Sequence, residues 1–165
     1  MFPELAEEWN YKKNEGMLPE QFAAFSNRKV WWLGKCGHEW QAKIESRAYG
    51  QACPVCSGKR VELGINDFTT SYPGLVDEWN WDKNISLKPM DVTHHSNKKV
   101  WWIGKCGHEW KASIEDRAYG SGCPVCDGKK VQQGYNDLLT TNPLLVQQWD
   151  YEKNELLPEE VTLYS

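Results

Sequence analysis

The chain has no apolar run approaching the roughly twenty residues that cross a bilayer, so no membrane span is expected. Its start, MFPELAEEWN, lacks the basic and apolar stretches of a secretion leader. The expected compartment is therefore a reducing cytoplasm, where disulfides are rare. Positive charge is not in excess: 19 Lys and Arg face 23 Asp and Glu, a formal net charge of −4, which argues against a nonspecific nucleic-acid coat protein. Catalytic patterns are missing too. No Ser/His/Asp order, paired carboxylates or Gly-rich phosphate loop stands out, so no enzyme is expected. Aromatic residues, in contrast, are plentiful. Ten Trp among 165 residues is far from the composition of a disordered chain, so this one should fold.

The sequence repeats itself at an offset of seventy residues without gaps, and more than half of the paired positions are identical. KVWWLGKCGHEW (Lys29–Trp40) returns as KVWWIGKCGHEW (Lys99–Trp110), and GIND at Gly64 returns as GYND at Gly134. A third, partial copy follows: NPLLVQQWDYEKN (Asn142–Asn154) echoes FPELAEEWNYKKN (Phe2–Asn14). The chain divides into a first repeat over 1–70, a second over 71–140 and a partial third over 141–165. The half-copy is either a helical cap over an open repeat face or part of a longer array.

Pattern predicts the elements. Pro3, Pro73 and Pro143 each open a run with helical apolar spacing, the mark of a short helix start. HEWQAKIES alternates, with Trp40, Ala42 and Ile44 on one face, and reads as a half-buried strand. KVWW is its β-branched and aromatic hairpin partner across the GKCGH turn. The predicted order is helix, hairpin, Cys-rich turn, repeated, with a final helix.

All six Cys fall in the two full repeats, three in each, with one His beside them. The spacing is Cys-x-His, fourteen residues, then Cys-Pro-x-Cys. Two turns that each present two ligands make a closed Cys₃His tetrahedron, which suits structural zinc and leaves no open position for substrate. The predicted ligands are Cys36, His38, Cys53 and Cys56, and again Cys106, His108, Cys123 and Cys126, for two Zn²⁺ per chain. Repeats this short bury little core, whereas a structural zinc site supplies about 10–16 kcal/mol of apparent folding free energy. The fold class is therefore a small α+β, zinc-stabilised tandem.

Charge is segregated. Ser26–Arg60 carries a net +5 and Ser96–Lys130 a net +3, while the three remaining segments carry −3, −4 and −5. The basic blocks supply Arg28, Lys29, Lys35, Lys43, Arg47, Lys59 and Arg60, then Lys98, Lys99, Lys105, Lys111, Arg117, Lys129 and Lys130, as candidate phosphate contacts. For Arg47 and Arg117 the plainer reading is a same-strand pair with Glu45 and Glu115. Within each Trp pair, Trp31–Trp32 and Trp101–Trp102, strand geometry sends the two rings to opposite faces, so one can be core and the other free to stack.

The phrases VWWLGKCGHEW, IESRAYG, CPVCSGKRV and GINDFTTSYPGLVDEWN together resemble the tandem probable zinc-ribbon, treble-clef-like domains of unknown function. The resemblance covers nearly the whole chain. It implies two β-hairpin zinc modules with short connecting helices, and zinc at the eight residues named above. Such domains sometimes accompany nuclease domains, which implies nucleic-acid targeting by association. The expected partner is nucleic acid, DNA before RNA. The alternative is a protein partner, with the chain as an adaptor or inhibitor of the kind that phages and mobile elements carry.

Overall fold

The computed structural model describes residues 2–164. Met1 and Ser165, the ends of the first and last segments of the sequence division, lie outside the described residues. The chain begins with α1 (Pro3–Glu7), followed by the hairpin of β1 (Lys29–Leu33) and β2 (Glu39–Lys43), then α2 (Ile44–Ala48). Two short helices, α3 (Phe68–Ser71) and α4 (Pro73–Val76), lead to a second hairpin, β3 (Lys99–Ile103) and β4 (Glu109–Ser113), and α5 (Ile114–Ala118). The chain closes with α6 (Leu138–Thr141) and α7 (Pro143–Val146). Among the described residues, no helix is long and apolar enough to cross a membrane.

Each hairpin is a two-stranded antiparallel sheet, in which Trp32 faces Trp40 and Trp102 faces Trp110. The two-residue alternation turns Val30, Trp32, Trp40 and Ala42 inward and leaves Lys29, Trp31 and Leu33 on the outer face. The outer edge of β1 is not left bare. Leu33 N–H donates to Glu8 O at 2.8 Å and Asn10 N–H donates to Trp31 O at 3.2 Å, so the chain after α1 runs beside it. Asn14, fully buried, completes the edge: its amide donates to Trp31 O and accepts from Trp31 N–H, both at 2.8 Å. Asn84 does the same for Trp101 at 2.7 and 2.9 Å. A side-chain amide thus satisfies backbone groups that an edge strand would otherwise present to any passing strand.

The strand predicted over HEWQAKIES, residues 38–46, stops three residues early. β2 ends at Lys43, and Ile44 begins α2, a helical turn absent from the predicted element order. Ile44 is fully buried at the head of that turn, as it would be on a strand, so the alternating pattern carried no warning. In the second copy the change of conformation has a visible cause: the Ser113 hydroxyl caps α5 by accepting from Asp116 N–H at 3.0 Å.

That turn changes the meaning of Arg47 and Arg117. They are not strand residues paired with Glu45 and Glu115. Helix α2 carries Arg47 under the hairpin, where its Cζ lies 5.4 Å from the Trp32 ring and 5.2 Å from the Trp40 ring. Its guanidinium donates to Glu8 and to the Gln51 carbonyl. Arg117 repeats this, 5.3 Å from both Trp102 and Trp110, and donates to Glu78 Oε2 at 2.5 Å. Their side chains are only 9% and 7% exposed. The delocalised guanidinium suits this slot, since it stacks on rings and tolerates desolvation better than an ammonium.

Buried apolar residues fall into three clusters. The first gathers Trp9, Trp32, Trp40, Ile44 and Val55, and the second Phe68, Trp79, Trp102, Trp110, Ile114 and Val125. Trp9 meets Trp32 edge-on at 5.7 Å, and Trp79 meets Trp102 at 5.4 Å. Phe68, which lies before residue 71 in the chain, packs into the second cluster. The third cluster, Leu138, Val146 and Val161 with Trp149 against it, is a half-module without a hairpin. Removing the carboxylate in Glu78→Ala leaves the Arg117 charge buried without its partner. We expect the zinc-loaded protein to lose about 2–3 kcal/mol of unfolding free energy, less than for a fully buried pair because Glu78 keeps some contact with water. Denaturant titration measures this, and a change under about 0.5 kcal/mol, the usual range of surface substitutions, contradicts the structural role.

Candidate metal centres

The tight turn between β1 and β2 builds the first half of each centre. Gly34 N–H donates to His38 O at 3.0 Å and Gly37 N–H donates to Gly34 O at 2.8 Å, closing the loop around Cys36. Gly37 sits at φ 80°, a left-handed conformation open to glycine. A Cβ at Gly34 would lie 3.0 Å from both Cys36 Sγ and the Trp40 ring, so only glycine lets the backbone pass this close. The turn therefore aims Cys36 and His38 at one point.

The second half comes from the Cys-Pro-Val-Cys turn after α2. Ser57 N–H donates to Cys53 O at 3.0 Å, and Gly58 N–H donates to Val55 O at 3.0 Å. Asn66 of the GIND phrase staples this turn. Its amide donates to Val55 O at 2.8 Å and Arg60 O at 2.9 Å, and its carbonyl accepts from Glu62 N–H at 2.7 Å. Asn136 makes the same three bonds in the second copy. Asp67, next in the phrase, caps α3 by accepting from Thr70 N–H and ties back Gly64 N–H. Asn66 and Asn136 support the ligands without touching metal, a role that the repetition of GIND and GYND could have signalled.

The two turns bring all eight predicted ligands into two groups: Cys36, His38, Cys53 and Cys56, and Cys106, His108, Cys123 and Cys126. Within each group the donor atoms lie within 4.8 Å of one another. His38 Nδ1 is 3.5 Å from Cys53 Sγ and 3.4 Å from Cys56 Sγ, and His108 Nδ1 is 3.5 Å from both of its thiols. Zn–S bonds of about 2.3 Å and Zn–N bonds of about 2.0–2.1 Å meeting at a tetrahedral angle require an S···N edge of about 3.6 Å. The donor set fits zinc in identity, number and spacing, and all six cysteines are free of disulfides.

Proton affinities follow from the crowding. The backbone N–H of His38 holds the Cys36 thiol down to about 7, whereas its hydrogen bond with Cys36, together with burial, pushes Cys56 up to about 11. Cys106 is likewise lowered by the His108 backbone N–H, and Cys126 is pushed up to about 11 beside Cys106. Three thiols this close cannot all ionise without a cation among them. Zinc supplies that cation and displaces the protons, so acidification competes with metal.

The two centres differ in the residue that lies against the histidine. The ring of Tyr135 meets His108 edge-on at 4.6 Å, and its hydroxyl lies 4.0 Å from Cys126 Sγ. The first copy has Ile65 at this position, half exposed and without a hydroxyl. Outer contacts to ligands tune metal affinity, so the second centre should hold its ion longer. Competition with a chromophoric chelator should release zinc in two phases, the slow one lost in Tyr135→Ile. A single phase in the parent protein contradicts this.

The basic candidates scatter around the centres. Arg47 and Arg117 are withdrawn as phosphate contacts, because both are core residues already spent on Trp rings and Glu8 or Glu78. Lys35 pairs with Glu7, Lys43 with Glu45, Arg60 with Glu62 and Lys129 with Asp127. Arg28, Lys29, Lys59, Lys98, Lys99, Lys105, Lys111 and Lys130 are exposed.

The profile of a family described as a probable treble clef zinc finger domain matches the chain twice, over residues 5–59 and 75–129. Each match spans one complete Cys₃His group. No curated protein gives a significant match. The chain belongs to the probable treble clef zinc finger family, as a tandem of two zinc-binding modules.

Proposed function

We propose that this protein is a non-catalytic zinc module that binds nucleic acid, and that it works in the cytoplasm, where its thiols stay reduced. The observation that carries the reading is where the exposed cations without an ion-pair partner among the described residues lie: Arg28, Lys29, Lys59, Lys98, Lys99, Lys105, Lys111 and Lys130 fall in the two basic blocks, against only Lys12 and Lys88 outside them. With three thiolates and one Zn²⁺ leaving about −1 at each centre, the loaded chain stands near −6 overall. A polyanion is therefore attracted to part of the surface and repelled by the rest, which orients it on the basic blocks. DNA is the first expectation.

A protein partner is the second reading, and the half-module favours it. Leu144 is 73% exposed, Leu156 53% and Tyr151 60%, which leaves large apolar side chains of the half-module in water. Binding of labelled oligonucleotides by the zinc-loaded protein, followed across salt concentration, separates the two. Affinity should fall with salt, with a logarithmic slope of about 0.7–0.9 per phosphate contacted. No binding at low salt removes the nucleic-acid reading and leaves the protein partner.

A further inference from the structure

In each hairpin one Trp is buried in the core and its neighbour lies partly exposed on the outer face. Trp102 is fully buried, while Trp101 faces outward and is only partly covered. Lysines gather around it. Lys83 Nζ lies 4.5 Å from the Trp101 ring centroid, and Lys111, directly across the hairpin in register, lies 5.7 Å away. Lys98 and Lys99 join them along an open groove of about 400 Å³. Lys83 is paired with Glu109, but Lys98, Lys99 and Lys111 have no ion-pair partner among the described residues. Asn80 N–H donates to Trp101 O at 3.1 Å, and the next residue in the chain, Trp81, is 54% exposed.

We infer that the outer face of the β3–β4 hairpin is a stacking site for unpaired bases, with Trp101 as the platform and Lys98, Lys99 and Lys111 on the flanking phosphates. The ligand class is single-stranded nucleic acid. This rests on the nucleic-acid reading above and narrows it.

Each component alone would point elsewhere. Lysines without an aromatic platform take any polyanion, duplex included. An outward Trp without lysines is an ordinary hydrophobic contact. Together they match a strand whose bases are free to leave one another, because every base has a π-face to offer and a phosphate on either side. In a duplex the base faces are stacked within the helix and cannot reach an indole set in a sheet. The lysines now lying over the ring are no obstacle, since a flexible four-carbon stem lets each ammonium move from the indole to a phosphate.

The first hairpin carries a weaker version. Trp31 is outward, with Lys13 Nζ 4.4 Å from its ring, and Arg28 and Lys29 stand where Lys98 and Lys99 do. Gln41, however, faces Trp31 where Lys111 faces Trp101, and Tyr11 replaces Trp81. The second hairpin should therefore dominate.

The test uses the zinc-loaded full chain, with a short labelled oligodeoxythymidylate and the same strand annealed to oligodeoxyadenylate. The single strand should bind more tightly than the duplex by about tenfold or more. Trp101→Leu should weaken single-strand binding by about tenfold at unchanged zinc content, and Trp31→Leu by less. Equal or tighter binding of the duplex overturns the inference on the parent protein alone, whatever the variants do. Wild-type affinity in Trp101→Leu, with affinity lost in Lys98→Glu/Lys99→Glu, also overturns it while leaving the broader nucleic-acid reading intact. Failure of both probes to bind at low salt overturns both.

Discussion

Four donor atoms brought within reach of one ion are the constraint on which each module depends. The apolar clusters are small, and the two in the full modules are each built around the hairpin that carries two of the ligands. A chain segment of this size has too little interior to offset its own conformational entropy. A metal tie between the hairpin turn and the Cys-Pro-Val-Cys turn closes the loop containing α2, and its apparent free energy, about 10–16 kcal/mol, matches the net stability of an ordinary domain. The glycines of the hairpin turn and the Asn66 staple make sense in this light. They spend little energy themselves and hold the donor atoms where the ion needs them.

Around the metal, each module substitutes polar and aromatic devices for bulk. Arg47 and Arg117 fill a slot between two Trp rings that an aliphatic side chain would fill in a larger core, and each borrows a carboxylate from the segment after the leading helix. Asn14 and Asn84 stand in for a third strand. The partial third repeat keeps the Trp and Asn of this set, and other positions differ. Gln148 occupies the place of Glu8 and Glu78, and Asn154 bonds to the carbonyl of Asp150 in its own turn.

The metal centres were legible because ligand spacing is a local property, repeated at a fixed offset, and zinc chemistry narrows the choice of residue types. The hairpins were legible for the same reason, through β-branched and aromatic alternation around a Gly-rich turn. The turn of helix at Ile44 was not, since strand and helix bury that residue equally well. The place of Arg47 was hidden with it. A count of cations records how many there are and says nothing of which lie under a Trp. The charge totals therefore overstated the basic surface by two residues and by the four paired with Glu7, Glu45, Glu62 and Asp127. The Trp pairs fell between these cases: alternation required one ring in and one out, and only packing of Trp9 on Trp32 showed which.

The most direct test removes one ligand and watches both modules. In Cys53→Ala, prepared with excess zinc, the indole and backbone NMR signals of the first module, Trp9 and Trp32 among them, should collapse to unfolded positions while those of the second module stay native. The first module keeping its native shifts with its centre empty would contradict the claim that metal holds each module together.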